Sequence, residues 1–146
     1  MRGQRLFAVC HRALDALTPL VDLGVRLWVA NVFFKSGLTK IASFDSTLLL
    51  FTYEYHVPLL SPYWAAVLGT AAELSLPVLL VLGLGGRLPA LALFVFNIIA
   101  VLSYPELNEA GLRDHQLWGL LLAVTLTHGP GPLTLDRLLG WWWSRR

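Results

Sequence analysis

The sequence has few charged residues and almost no sulfur. Of its 146 residues, 14% are charged and 56% are hydrophobic, whereas a soluble domain averages roughly 25% charged residues. The chain therefore lacks the polar surface of a water-soluble protein, and we predict one integral membrane domain covering residues 1–146. The single cysteine, Cys10, excludes an internal disulfide and a thiolate cluster. The small net charge of +2 argues against nucleic acid as a partner.

Sequence patterns of known catalytic sites are also missing. The chain has no phosphate loop, dinucleotide fingerprint, haem-attachment motif or recognisable serine or cysteine nucleophile. His56 and His115 lack the spacing of a zinc site, so we predict no metal site. The sequence leaves open whether the protein is an enzyme.

Four apolar stretches are long enough, or nearly so, to cross a bilayer, since a hydrocarbon core of about 30 Å needs about 20 helical residues. They are residues 18–38, 64–84, 88–104 and 112–128. The predicted fold is an all-α integral membrane four-helix bundle with short interfacial helices. With both termini cytoplasmic, the inner side carries seven lysines and arginines and the outer side three, which favours an N-in/C-in topology.

Two further segments have the pattern of helices lying on the membrane surface. Residues 6–17 place apolar side chains on one helical face and interrupt them with charges, which predicts a separate surface helix before the first span. Residues 46–55 are too apolar for a free loop, and Ser43 or Asp45 could cap a helix there on the outer face.

Polar side chains fall at similar depths in three predicted spans. A charge at a helix centre costs about 2.5–3.5 kcal/mol even on lenient insertion scales, so we predict that Arg26 and Glu73 face inward and pair. Asp22 lies one turn before Arg26 and could share the guanidinium. Asn97 would complete this network, and Pro77 leaves the carbonyl of Glu73 without its helical donor. The network could hold the bundle together, relay protons, or anchor a small headgroup such as a quinone.

A second group of polar and aromatic residues flanks the outer ends of the predicted spans. Its histidines could exchange protons near neutral pH and its aromatic rings could flank a flat ring, although anchoring at the interface alone would explain the same residues. This outer-surface candidate site comprises Tyr55, His56, Tyr104, His115 and Trp118.

Two segments resemble the DoxX family of small four-helix membrane proteins. The stretch "RLWVANVFFKSGLTKI" (26–41) is similar to the family's first span, and "AELSLPVLLVLGLGGRLPAL" (72–91) to its glutamate-bearing second span. The likeness extends over roughly residues 20–138 and includes "YEYHVPLLSP" and the segment from Asp114 to Asp136. The family motif positions are filled here by Gly37, Lys40, Gly83 and Arg87.

The resemblance implies four transmembrane helices but no single activity. Some family members are subunits of complexes that pass electrons from reduced sulfur compounds to quinone, and others associate with superoxide- and thiol-detoxifying enzymes. The branch with similar outer-loop features is encoded beside systems that make modified metal-stress peptides. Fold-level analogy alone does not establish chemistry.

Two functional hypotheses follow. The first is an accessory subunit of a redox or stress-defence system in a bacterial-type inner membrane, interacting with quinone and acting with a protein partner or as a homo-oligomer. The alternative is a non-catalytic membrane scaffold or export factor for a secreted peptide or metal-handling partner, which would dock on the exposed segment "YEYHVPLLSP".

Overall fold

A computed structural model describes the backbone of residues 2–144 and the side chains of residues 10–144. This part of the chain contains helices and no strand, so the predicted all-α class is confirmed. The helices are α1 (Arg2–Ala42), α2 (Phe44–Tyr53), α3 (Pro62–Leu82), α4 (Leu88–Ser103), α5 (Glu109–His128) and α6 (Leu135–Trp143).

Two of these helices are long and apolar enough to cross a membrane: α1, over Cys10–Ala42, and α3, over Pro62–Leu82. Helix α4 is apolar but shorter, with 16 residues. The predicted spans 18–38, 64–84, 88–104 and 112–128 overlap α1, α3, α4 and α5 respectively.

The predicted break between a surface helix and the first span is wrong. Helix α1 runs without interruption for 41 residues, with Pro19 inside it. The segment before Pro19 contains good helix formers and no glycine between Gly3 and Gly24, so nothing in it favours a turn. The second predicted short helix is present as α2, with Ser43 at its N-cap position.

The helices pack as two close pairs, α1 with α3 and α4 with α5, joined through α3–α4 and α1–α5 contacts. One buried cluster fills the space between them, formed by Val29, Ala30, Phe33, Leu80, Ala90, Leu93 and Leu122. A second, smaller cluster lies under α2 and contains Phe51, Ala65 and Ala66. The small alanines let the helices approach closely, as is usual where membrane helices pack.

The turn after α3 requires glycine. Gly83 is the C-cap residue in the left-handed region, at φ +64°, where residues with a β-carbon are disfavoured. A β-carbon there would also lie 2.5 Å from Thr134 and 2.9 Å from Arg26 Nη1. At this turn the end of α3, helix α1 and the segment before α6 therefore meet at one end of the bundle.

Candidate functional site

Glu73 forms an ion pair with Lys40, across the contact between α3 and α1. Lys40 Nζ lies 2.6 Å from Glu73 Oε2 and 2.7 Å from Oε1. Ser36 completes the group, since its hydroxyl donates to Glu73 Oε1 at 3.2 Å and accepts from Lys40 Nζ at 2.8 Å. The side chains of Lys40 and Glu73 are 14% and 7% exposed. The carboxylate thus has a base from another helix as its partner.

A glycine makes this pairing possible. Gly37 is buried on the face of α1 that also carries Ser36 and Lys40. A β-carbon at Gly37 would lie 3.0 Å from Glu73 Cβ and 2.9 Å from a methyl carbon of Leu74. The missing side chain therefore lets α1 approach α3 closely enough to set Lys40 opposite Glu73.

The predicted Arg26–Glu73 pair is wrong. Arg26 is 1% exposed and donates instead to three carbonyl oxygens: Leu80 and Val81 at 3.2 Å each, and Leu133 at 2.6 Å. Leu80 is seven residues beyond Glu73, which is about 10 Å along the helix. The last carbonyls of a helix lack donors and carry partial negative charge, so the guanidinium closes the end of α3.

Asp22 does not pair with Arg26 either. No ion pair joins them in the described part of the chain. Asp22 instead lies against Gly131, where a β-carbon would come within 2.9 Å of its carboxylate. Arg26 and Asp22 therefore belong to the packing of the end of α3 against the segment before α6, away from Glu73.

Asn97 is also separate from Glu73, because it binds His115 on α5. Its Nδ2 donates to the His115 carbonyl at 2.9 Å, and its Oδ1 lies 2.7 Å from His115 Nδ1. This amide orientation makes Nδ1 the protonated ring nitrogen. Gly119 leaves room for the amide, since a β-carbon there would lie 3.2 Å from Asn97 Nδ2. The contact joins α4 to α5.

The outer-surface candidate residues fall into two groups. His115 contacts Trp118 with ring centroids 4.7 Å apart, on the α4–α5 side. Tyr55 stacks on Tyr104 at 4.8 Å, on the α2–α4 side. His56 adjoins the second group, since its backbone N–H donates to the Ser103 carbonyl at 2.7 Å. Because Tyr55 and Tyr104 stack directly on each other, no room is left for a ligand ring between these two side chains.

Tyr55 stays a neutral hydroxyl at physiological pH. Its ring also stacks on Phe51 at 4.9 Å. Burial raises the pKa of Tyr55 above its usual value of about 10, and the negative charges of Glu73 and Glu54 and the neighbouring Tyr104 raise that pKa further. A neutral phenol can both donate and accept a hydrogen bond.

A cavity of about 480 Å³ opens beside the ion pair and was not foreseen from the sequence. It lies between α1, α2, α3, α4 and the connection before α3, with mostly apolar walls. Its polar lining residues are Lys40, Glu73, Tyr55 and Ser103. Ser103 is 1% exposed, and its hydroxyl has no hydrogen-bond partner among the described residues. A buried hydroxyl without a partner costs about 1–3 kcal/mol, which a ligand in the cavity would offset.

The remaining family motif residue, Arg87, lies at the opposite end of the bundle from Lys40. It follows the Gly83 turn, and its guanidinium packs beside Gly129, where a β-carbon would be 3.4 Å from Arg87 Nε. Gly83 and Arg87 thus shape the turn between α3 and α4, while Gly37 and Lys40 shape the ion pair. No cluster of three or more metal-ligating side chains occurs among the described residues.

These features define a helical membrane-type protein with a charged pair between its two longest apolar helices and a cavity beside it. The sequence model of the DoxX family matches residues 21–105, which include α1 from Val21, α2, α3 and α4. The chain belongs to the DoxX family, and the resemblance seen in the sequence is confirmed. No curated protein and no solved structure matches the chain.

Proposed function

We propose that the protein is a multi-pass inner-membrane protein that crosses the bilayer four times with both termini cytoplasmic. Helices α4 and α5, of 16 and 20 residues, would be about 24 and 30 Å long, so α4 is short for a hydrocarbon core of about 30 Å. The Asn97–His115 contact joins α4 to α5. The distribution of lysines and arginines supports this orientation.

Within that membrane, the cavity beside Lys40 and Glu73 binds a neutral, lipid-soluble ring compound of the quinone type. The single observation that carries this proposal is the cavity of about 480 Å³ with a buried, unpartnered Ser103 hydroxyl in its lining. Ligand pockets typically measure about 300–1,000 Å³, with apolar walls and a few polar groups. The protein would serve as an accessory subunit of a membrane redox or stress-defence system.

The charges of the cavity favour a neutral ligand that accepts hydrogen bonds. Lys40 and Glu73 neutralise each other, so the lining offers no net charge to an ion. Ser103 and Tyr55 can donate hydroxyl protons to a ligand, whereas Lys40 already donates to Glu73 and Ser36. The carbonyl oxygens of a quinone are acceptors, and its ring suits the apolar wall that includes Phe96, Ile99 and Ala100.

Filling the cavity should abolish binding. Ala72 lines the cavity, whereas its neighbour Ala71 is exposed on another face of α3 and does not. We expect Ala72→Phe to reduce affinity for decylubiquinone at least about tenfold, because the added ring occupies the ligand's space, while Ala71→Phe leaves affinity unchanged. Equilibrium binding to protein in lipid nanodiscs, together with extraction of quinone that co-purifies, measures both variants.

Equal affinity in the two alanine variants would rule out this cavity as the quinone site. Absence of binding by the wild-type protein would remove the quinone proposal and favour the scaffold alternative. One feature already supports that alternative: Leu59 is fully exposed, at 104%, in the left-handed region at φ +67°. This apolar residue in the outer connection would then belong to a docking surface for a protein partner.

A further inference from the structure

Asn31 presents an amide on the outside of α1, in the part of the helix that would lie within the bilayer. It is exposed and makes no hydrogen bond to the described residues. Asn31 lines a groove of about 260 Å³ between α1 and α3 together with Pro77. Pro77 is five residues before the end of α3 at Leu82, so this level is about 8 Å inside the helix end.

An amide at that depth needs a partner. Lipid tails offer neither a donor nor an acceptor, and polar groups left unsatisfied in hydrocarbon cost several kcal/mol in general. Serine and threonine can bond back to their own helix, as Ser75 does to the Ala71 carbonyl at 2.7 Å, whereas Asn31 makes no such bond. The groove around it is otherwise apolar, with Leu27, Ala30 and Phe34 on the α1 side.

Five exposed residues of α1, with Asn31 at their centre, lie along one continuous seam. Their spacing alternates between four and three residues, which is the pattern by which two helices pack along their length. The members of this α1 seam are Gly24, Trp28, Asn31, Lys35 and Leu38, all of which are exposed. Among the described residues, no neighbouring atom lies within 4 Å of the position of a β-carbon at Gly24, so a second helix could approach closely there.

We propose that the α1 seam is the interface with a second copy of this chain, held together by hydrogen bonds between the two Asn31 amides. Copies inserted in the same orientation are related by a two-fold axis along the membrane normal, and such an interface brings each residue near its own equivalent. A carboxamide is self-complementary, since it carries both donors and an acceptor. A single asparagine in such a seam also fixes the register of the two helices.

Lys35 is compatible with this arrangement. It lies four residues beyond Asn31 on the same face, which is about 6 Å farther along the helix. Its long aliphatic stem can carry the ammonium group towards the headgroups and away from the equivalent lysine. The interface requires only that α1 crosses a bilayer, and it is independent of the proposed ligand.

The test is association in lipid vesicles, measured by energy transfer between copies labelled at Cys10. Cys10 is the only cysteine, is exposed and lies on α1 itself, so the wild-type chain needs no engineering. Asn31→Leu should raise the protein-to-lipid ratio for half-association by about 5- to 30-fold, the range given by interhelical hydrogen bonds in model peptides. Asn31→Gln retains the amide and should stay within about twofold of wild type.

Ser75→Leu is the matched control, because it removes an exposed polar side chain whose hydroxyl already bonds within α3. It should associate like the wild type. Asn31 is exposed, so its variants should fold, and an unchanged melting temperature confirms it. Wild-type association unaffected by Asn31→Leu would overturn the proposal. A wild-type chain that stays monomeric at every dilution would also overturn it.

Discussion

Replacing Lys40 with methionine should cost about 3–5 kcal/mol of the free energy of unfolding. Methionine keeps much of the length and volume of the lysine side chain but leaves the buried Glu73 carboxyl group without its positive partner. Removing one partner of a buried ion pair has an effect of about this size, because an uncompensated charge remains in a low-dielectric interior. Denaturation with sodium dodecyl sulfate in mixed micelles measures the change.

Neutralising Glu73 as well should restore most of that stability. In the Lys40→Met, Glu73→Gln double variant no charge is left unpaired, and replacing both partners of a buried pair is often close to neutral. Arg12→Met is the matched control, since Arg12 lies on the same helix, is exposed and is not part of the α1 seam. A loss of less than about 1 kcal/mol in Lys40→Met, as expected for an exposed ion pair, would contradict the buried pairing.

Arg26→Leu should destabilise the opposite end of the bundle by about 3 kcal/mol or more. The substitution removes three hydrogen bonds from a charged donor, each worth about 1.5–3 kcal/mol. It leaves the carbonyls of Leu80, Val81 and Leu133 without this donor. Because Arg26 donates one of the hydrogen bonds that hold the segment before α6, beside the bond from Gly86 N–H to Asp136, this segment should loosen. Trypsin should then cleave after Arg137 faster than in the wild type.

Two variants separate this effect from the loss of a positive charge. Arg12→Leu removes an exposed arginine from the same helix and should leave stability and cleavage unchanged. Arg26→Lys keeps the charge, but its compact ammonium cannot reproduce the planar fork of donors, so an intermediate loss is expected. Unchanged trypsin cleavage in Arg26→Leu would show that the guanidinium does not hold the Leu133 segment.

Sequence reasoning located the helices well because apolar length and proline–glycine punctuation are local signals. The boundaries of α3 fall within two residues of the predicted span, with Pro62 opening the helix and Gly83 ending it. The N-terminal surface helix was wrong because amphipathicity describes the faces of a helix and not where the chain bends. Pro19 is accommodated inside α1, although an internal proline usually disfavours a helix.

The partner of Glu73 could not be chosen from the sequence. Arg26 and Lys40 are fourteen residues apart on α1, which is nearly four helical turns, so both face the same side. Only the vertical register of α1 against α3 decides between them, and that register depends on the close contact at Gly37. If the centres of α1 and α3 lie at the same depth, Arg26 is the expected partner of Glu73. The packing of α1 against α3 instead places Lys40 beside the carboxylate.

The cavity could not be predicted from the sequence either, because it also depends on how the helices pack. Its lining comes from α1, α2, α3, α4 and the connection before α3, and a void depends on how side chains from all of them fit. Ser103 does not indicate a cavity in the sequence, because serines are common near helix ends and their hydroxyls usually bond to the backbone. Its unpartnered hydroxyl is visible only in three dimensions.

A double-mutant cycle comparing Lys40/Glu73 with Arg26/Glu73 tests the central pairing most directly. Both cycles use Glu73→Gln, with Lys40→Met in one and Arg26→Leu in the other, and report the coupling free energy. We expect a coupling of about 2 kcal/mol or more for Lys40 with Glu73, and less than about 0.5 kcal/mol for Arg26 with Glu73. Strong coupling of Glu73 to Arg26, with none to Lys40, would contradict the ion pair on which the proposed site depends.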